Sequence, residues 1–449
     1  MQTNTTFQMN KNTKLLAYKT QKIDYSFTGT RLTQYAGLLA IMKFLNKLDI
    51  GKELNNHFPT IKYNSTKYSN AQIFLSILLS SFAGINRLKR ISNFTQDSLV
   101  MLLLNLKKGL NKDVISSRLK MLGQKGANEL ASYIGEKSKE FIGRSKLKSI
   151  TLDCDSTVKT VYGNQEGTAK GYNSSKPGAN SYHPLLCFLS ELKIVIKTRF
   201  RTGSAYTSNG ICSFIEETAS LIPDNIEKIF FRADSGFFNG KLFDLLESKN
   251  WNYLIKVKLK NLKAVLNNQI WAQSKENPKV STCEFEYRAK GWKRKRKLKA
   301  IRTVTGYKEV DYFGEKQLIE EYVYACYCSN LSTSSGVELD AIDLHENYKQ
   351  RSISETWIAE VKGQLLAGST LTNNFYANDI LWQLGIFAYN LSIMIRYKVK
   401  NYWKQEHNTF RDWFINIPAK IVRSGRTNKM KIYESWYFRE RWEYFYRLI

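Results

Sequence analysis

The chain has 449 residues, 43 % of them hydrophobic and 13 % aromatic, which excludes a disordered tail and supplies two or three domains with a buried core. Lysine and arginine number 68 against 39 acids, for a net charge of +29. So large an excess repels itself unless a polyanion neutralises part of it, and nucleic acid is the expected partner ahead of an anionic membrane surface.

Three further classes lose support at once. The longest apolar stretch, Ala71 to Ile85, is broken by serines and short for a bilayer span, and the N-terminus lacks the basic-then-apolar order of a signal peptide. A soluble intracellular protein with no membrane partner is therefore expected. The six cysteines form no C-x-x-C pair, so neither a zinc ribbon nor a secreted disulfide framework is indicated. With only four scattered histidines, a histidine base has little support, and a bound metal has to be a hard cation held by carboxylates.

Residues 1–30 read as a polar, loosely ordered segment. Residues 31–145 have a helical period, with helices expected at 70–83, 87–94, 99–106 and 112–122. Arg87, Lys89, Arg90, Arg118 and Lys120 on these short helices suit a helix-turn-helix-like DNA-binding unit; a helical bundle with a solvated basic face is the alternative. Over 146–258 the pattern changes to strands at 148–155, 183–191 and 194–201, the last two joined tightly at Leu192-Lys193. Helix 208–221, strand 229–234, helix 239–249 and strand 251–258 follow, an α/β layout with a mixed sheet. Residues 259–336 read as a lysine-rich β segment holding Trp271, Trp292 and the run Lys293-Arg294-Lys295-Arg296, and 337–449 as a long helix from near Asn347 followed by further helices.

Cutting a phosphodiester with two divalent cations requires several carboxylates converging from different elements, and acids at the ends of buried strands are the place to look. One apolar strand ends in Asp153-Cys154-Asp155, whose two acids share a face; another ends in Asp234. Either acid could instead cap the turn that follows it. At about 100° per residue, Tyr348, Arg351, Glu355 and Lys362 fall within a strip about 60° wide, and Glu360 lies about 140° from Glu355, towards solvent. A carboxylate among Tyr, Arg and Lys resembles a metal ligand set among phosphate clamps, with an i,i+4 salt-bridge stripe as the plain alternative.

The spacing Y-x2-R-x3-E-x6-K, met by Tyr348, Arg351, Glu355 and Lys362, resembles the signature of cut-and-paste insertion-sequence transposases with a DDE triad. The segments Tyr162–Asn173, Ser181–Leu186 and Arg232–Phe237 are similar to those of one branch, the IS-thirteen-eighty group. The resemblance implies an RNase H-like catalytic core with a β-rich insertion (259–336) between the second and third acids, a helical N-terminal domain and a helical C-terminal region. It implies Asp155, Asp234 and Glu355 as catalytic metal ligands for two Mg2+ ions, with Mn2+ able to substitute. Tyr348, Arg351 and Lys362 are then DNA contacts. The expected partners are the terminal inverted repeats of a mobile element and target DNA, bound by a homodimer in the bacterial cytoplasm. Asp153 is either a support for the site or structural.

Other DNA contacts are expected at Lys170 and Lys176, with Asn173 and Ser175, in the glycine- and lysine-rich segment after the first acid; an ordinary surface loop is the alternative. Lys293, Arg294, Lys295 and Arg296 either touch DNA or guard a solvated strand edge. Trp271 and Trp292 are expected to be buried in preference to stacking on a base.

Overall fold

The computed structural model describes residues 29–60, 67–173, 175–206, 210–313, 315–399 and 404–449, so the polar segment expected at 1–30 lies almost wholly outside the described residues. Its centre is a nine-stranded mixed sheet. In chain order the strands are β1 (Ser149–Ser156), β2 (Leu185–Leu189), β3 (Ile194–Arg199), β4 (Lys228–Ala233), β5 (Asn252–Lys256), β6 (Ala272–Gln273), β7 (Val280–Tyr287), β8 (Arg296–Tyr312) and β9 (Glu315–Ser329). Their spatial order is β6-β7-β8-β9-β5-β4-β1-β2-β3.

The first five strands follow the sequence pattern closely. β1, β2 and β3 form an antiparallel meander, and Lys193 takes a left-handed φ of 57° in the tight turn expected there. Helices Ile211–Ser220 and Gly240–Ser248 then carry the chain to β4 and β5, which lie parallel to β1 on its other side. β2 is apolar and buried throughout, whereas β1 alternates, with Ile150, Leu152 and Cys154 buried on one face and Thr151, Asp153 and Asp155 on the other. The 259–336 segment is β-rich as expected, and its strands extend the same sheet through the β9–β5 pairing.

The N-terminal helices also form where expected. Ser69 and Gln72 make a reciprocal capping box on the buried helix Asn70–Phe82. The helix expected at 112–122 ends there, because Gly123 takes a φ of 54° and ψ of −152° open to glycine; a second helix follows directly to Arg144, and the kinked pair Lys112–Arg144 is α1. Arg118, expected on a DNA-facing surface, is half-buried and donates to Asn70 Oδ1 at 2.9 Å.

Three expectations for the C-terminal third are corrected. The single long helix from Asn347 is two helices, α2 (Ala341–Lys349) and α3 (Ser352–Gln364), joined by tight turns such as Ser354 N–H to Arg351 O. The C-terminal region is not wholly helical: Ala419–Ser424 and Thr427–Ile432 form a hairpin that pairs with Leu32–Thr33. Finally, Glu360 is buried, because the side of α3 away from the site packs on α4 (Phe375–Lys398), whose Arg396 lies 2.7 Å from the Glu360 carboxylate.

Helix α4 is buried along most of its length and ties the N-terminal helices to the sheet. Asn390 exchanges two hydrogen bonds with the Val195 backbone of β3, and Gln383 donates to Ala127 O in α1. Among the described residues no helix is long and apolar enough to cross a membrane.

Candidate active site

Alternation along β1 sends Leu152 and Cys154 to one face and Asp153 and Asp155 to the other. The two acids meet different surroundings. Asp153 is 1 % exposed and accepts from Arg232 Nε at 2.7 Å and Nη2 at 2.8 Å, with the Ser190 hydroxyl as a further donor. Arg232 also donates to Asn347 O at 2.9 Å, which fastens the end of α2 to the sheet. Asp153 is thus a structural clamp on the segment that leads into Arg351.

Asp155 stands at the open end of β1. One carboxylate oxygen accepts from the Ser156 N–H at 2.8 Å, and the other lies 2.8 Å from Arg351 Nη2. The β1–β4 register runs through Cys154 and Ala233, so Asp155 and Asp234 leave adjacent parallel strands at the same level. Burial pushes the Asp155 carboxyl up to about 6; Arg351 opposes the rise and Asp234 adds to it. Asp234 accepts from the Gly236 N–H at 2.9 Å, so it also caps the turn it begins.

Glu355 lies in the first turn of α3, mostly exposed, with Oε1 3.9 Å from Arg351 Nη1. One buried guanidinium therefore lies between the carboxylates of Asp155 and Glu355. Burial pushes the Tyr348 hydroxyl up to about 12; Arg351 opposes this, while Asp234, Asp155 and Glu355 all add to it, so one phenol senses all three acids. Among the described residues no three His, Cys, Asp or Glu side chains are gathered closely enough to hold a metal ion.

The four residues of the Y-R-E-K spacing do not form one helical strip. Tyr348 belongs to α2 and packs on Tyr327 at 5.1 Å between ring centroids, and Arg351 is buried in the link. Lys362, in α3, donates to Thr157 Oγ1 at 3.0 Å and Val158 O at 2.7 Å, pinning the loop after β1.

Beside Asp234 a cleft of about 1050 Å3 is lined by Ser156, Thr157, Lys170, His183 and Lys362 among others. His183 was not expected here. It is 4 % exposed, donates through Nδ1 to Ala205 O at 2.7 Å, and receives the Ser156 hydroxyl at Nε2, 3.2 Å away. Its place directly before Pro184, where β2 begins, was the available sequence signal.

The other expected DNA contacts divide. Lys170 is exposed at the cleft, and Lys176 is exposed over the Tyr162 ring at 4.3 Å. Asn173 is buried and organises its own loop, accepting from the Lys176 N–H and the Ser175 hydroxyl. In the basic run, Arg296 is buried against Asp244 and Glu247, Arg294 pairs with Glu247, and Lys295 lies 3.2 Å from Glu286, while Lys293 is exposed. Internal ion pairs therefore account for most of that run. Trp292 packs among Phe238, Phe243 and Tyr287, and Trp271 against Tyr324, as expected of packing residues.

Comparison with known proteins gives two kinds of result. Among solved structures, the piggyBac transposase synaptic complex with hairpin DNA is similar with a TM-score of 0.48 at 13 % identity, over 84 % of this chain and 79 % of that one. The Mos1 transposase paired-end complex with the left transposon end gives 0.18 at 11 % identity, over 43 % of this chain and 60 % of that one. Both likenesses are loose, and no curated protein matches the chain. The family described as transposase DDE domain group 1, by contrast, matches residues 16–448, and the chain belongs to that family.

Proposed function

We propose that this chain is the transposase of an insertion sequence, of the IS-thirteen-eighty branch, that cuts DNA at the element's terminal inverted repeats and joins the freed ends to target DNA. The observation that carries the reading is Arg351 lying between Asp155 and Glu355, beside Asp234, where adjacent parallel strands end. The strand order β3-β2-β1-β4-β5, with β1, β4 and β5 parallel, supports an RNase H-like core.

The donor chemistry fits a hard divalent cation: Asp155, Asp234 and Glu355 are oxygen ligands, and the Arg351 guanidinium stands in for positive charge between two of them. Two Mg2+ ions held by these carboxylates, or Mn2+ in their place, would supply charge neutralisation at the phosphate and lower the cost of generating the attacking oxygen.

The chain's own groups do the positioning. Asp155 has to be ionised to hold a cation, so its raised pKa in the metal-free site weakens cation binding in acid. Arg351 exchanges Asp155 for a DNA phosphate when the site is loaded, and Tyr348 donates to a neighbouring phosphate. Hydrogen bonds to a charged group of this kind contribute about 1.5–3 kcal/mol each. Lys362 holds the loop after β1 in place, and Lys170 borders the cleft through which the strand enters. Water first cuts the phosphodiester at the element end and releases a 3′-hydroxyl. That hydroxyl then attacks a target phosphodiester by in-line displacement, so no covalent protein–DNA intermediate forms. Two ends processed together call for a homodimer.

The test is an assay with end-bearing donor DNA, a target plasmid and Mg2+ or Mn2+. Wild type is expected to give joined products. Asp155→Asn, Asp234→Asn and Glu355→Gln are each expected to abolish cleavage while leaving end binding intact. Breaks without joined products would identify a nuclease, and cleavage undiminished in Asp155→Asn would refute the site.

A further inference from the structure

β8 and β9 run well beyond the rest of the sheet. Pairing of β7 with β8 ends at Thr303, and pairing of β9 with β5 is confined to Tyr327–Ser329. From Gly306 to Glu321 the two strands pair only with each other, an arm reaching roughly 20 Å at about 3.3 Å per residue. A lone two-stranded ribbon is marginally stable in water. This one also exposes apolar side chains on both faces: Tyr307 (63 %) and Leu318 (71 %) on one, Ile319 (44 %) on the other. Such a surface calls for a partner.

The charge says which kind. In a chain of net charge +29 the arm is acidic, with Glu309, Asp311, Glu315, Glu320 and Glu321 against Lys308 and Lys316. That balance disfavours DNA and suits a basic protein surface with an apolar floor. The chain itself offers one. Between helix Leu88–Phe94 and the Ala419–Ile432 hairpin lies an open groove of about 990 Å3, with Tyr35, Ile85 and Phe94 among its apolar lining and Arg90, Lys420 and Lys431 as its basic groups. Asp97, the acid in that lining, is already engaged by the Leu99 and Val100 N–H groups.

We propose that the acidic β8–β9 arm of one copy docks in the basic-rimmed groove of a second copy, so that two reciprocal contacts build a dimer. This goes beyond the catalytic reading and is tested without DNA or divalent metal. Sedimentation across a concentration series is run on wild type, on an arm variant (E309K/E320K/E321K), on a groove variant (R90E/K420E/K431E), and on the two variants mixed. Wild type is expected to dimerise, and each variant alone to associate at least about tenfold more weakly, since like charges then face each other in both contacts. The mixture is expected to recover association, because each arm then meets a groove of opposite charge; recovery also shows that both variants are folded. A monomeric wild type, variants that dimerise like wild type, or a mixture that recovers nothing would each overturn the proposal.

Discussion

Arg351 and Asp155 form a buried ion pair of 2.8 Å, yet burial costs the carboxylate more than the guanidinium returns, and Asp155 titrates at about 6. The sign follows directly. Between the unfolded value near 4 and about 6, the folded protein holds a proton that the unfolded chain has lost, so stability falls as pH rises through that window and the full cost stands above it. Asp155→Asn is therefore expected to stabilise the metal-free protein at pH 7. A rise of two units, already net of the Arg351 pairing, corresponds to about 3 kcal/mol, and imperfect replacement of the carboxylate's hydrogen bonds by the amide reduces the gain to the order of 1–2 kcal/mol. The advantage shrinks towards pH 4. Denaturant titrations at both pH values check this, and a variant no more stable than wild type at pH 7 would show that the pair outweighs the burial.

Two residues earlier stands a second buried pair. Asp153 receives two donors from Arg232, and both partners are buried. Asp153→Ala strands a buried guanidinium and is expected to cost about 3–5 kcal/mol. Because Arg232 also holds Asn347 O, the variant should loosen the approach to Arg351 and reduce cleavage as a secondary effect. A denaturant midpoint close to wild type would remove Asp153 from the clamp.

How legible this was in the sequence depended on the range of the interaction. Asp155 and Asp234 could be picked out because each ends an apolar run, a local signal that the parallel β1–β4 register then places side by side. The side on which α3 is buried was not local. A 100° wheel carried across Tyr348 to Lys362 assumes one helix, whereas the chain forms two, and burial of Glu360 is set by Arg396 of α4, 36 residues away. The hairpin at 419–432 was missed for a related reason: Lys420, Lys429 and Lys431 alternate with Ile421, Met430 and Ile432, but too briefly to outweigh the helical stretches around it. Charge was the least reliable guide. The run around Arg296 looked like a DNA contact, and its partners Asp244 and Glu247 lie on a helix about fifty residues earlier.

Glu360 provides the measurement for the misread face. Its carboxylate lies 2.7 Å from Arg396 and accepts from the His407 N–H at 2.9 Å, joining α3, α4 and the helix beginning at His407. A solvent-facing glutamate would tolerate alanine. A buried one that neutralises Arg396 should not, and Glu360→Ala is expected to cost about 3–5 kcal/mol, with Glu360→Gln closer to wild type because it keeps a hydrogen-bonding oxygen. Loss of less than about 0.5 kcal/mol in the alanine variant would restore the surface reading.

Lys159 carries the clearest pH dependence outside the acids. It is 2 % exposed, its ammonium lies 5.7 Å and 5.6 Å from the ring centroids of Phe200 and Trp382, and it donates to Ser369 O at 2.5 Å. Burial pulls its pKa down to about 7, with Lys362 adding to the fall. Above about pH 7 the folded protein therefore holds the amine neutral while the unfolded chain stays protonated up to about 10.4, so stability gains as pH rises across that interval. The contribution is at most about 1.4 kcal/mol per pH unit, the limit for one proton. Lys159→Met keeps the length and the ring contacts and removes the titration. Comparing the slope of unfolding free energy against pH between about 7.5 and 9.5 isolates this residue, because every other titrating group is common to both proteins. Wild type should show the steeper rise; parallel slopes would mean that Lys159 stays charged in the fold and that the rings and the Ser369 carbonyl compensate its burial in full.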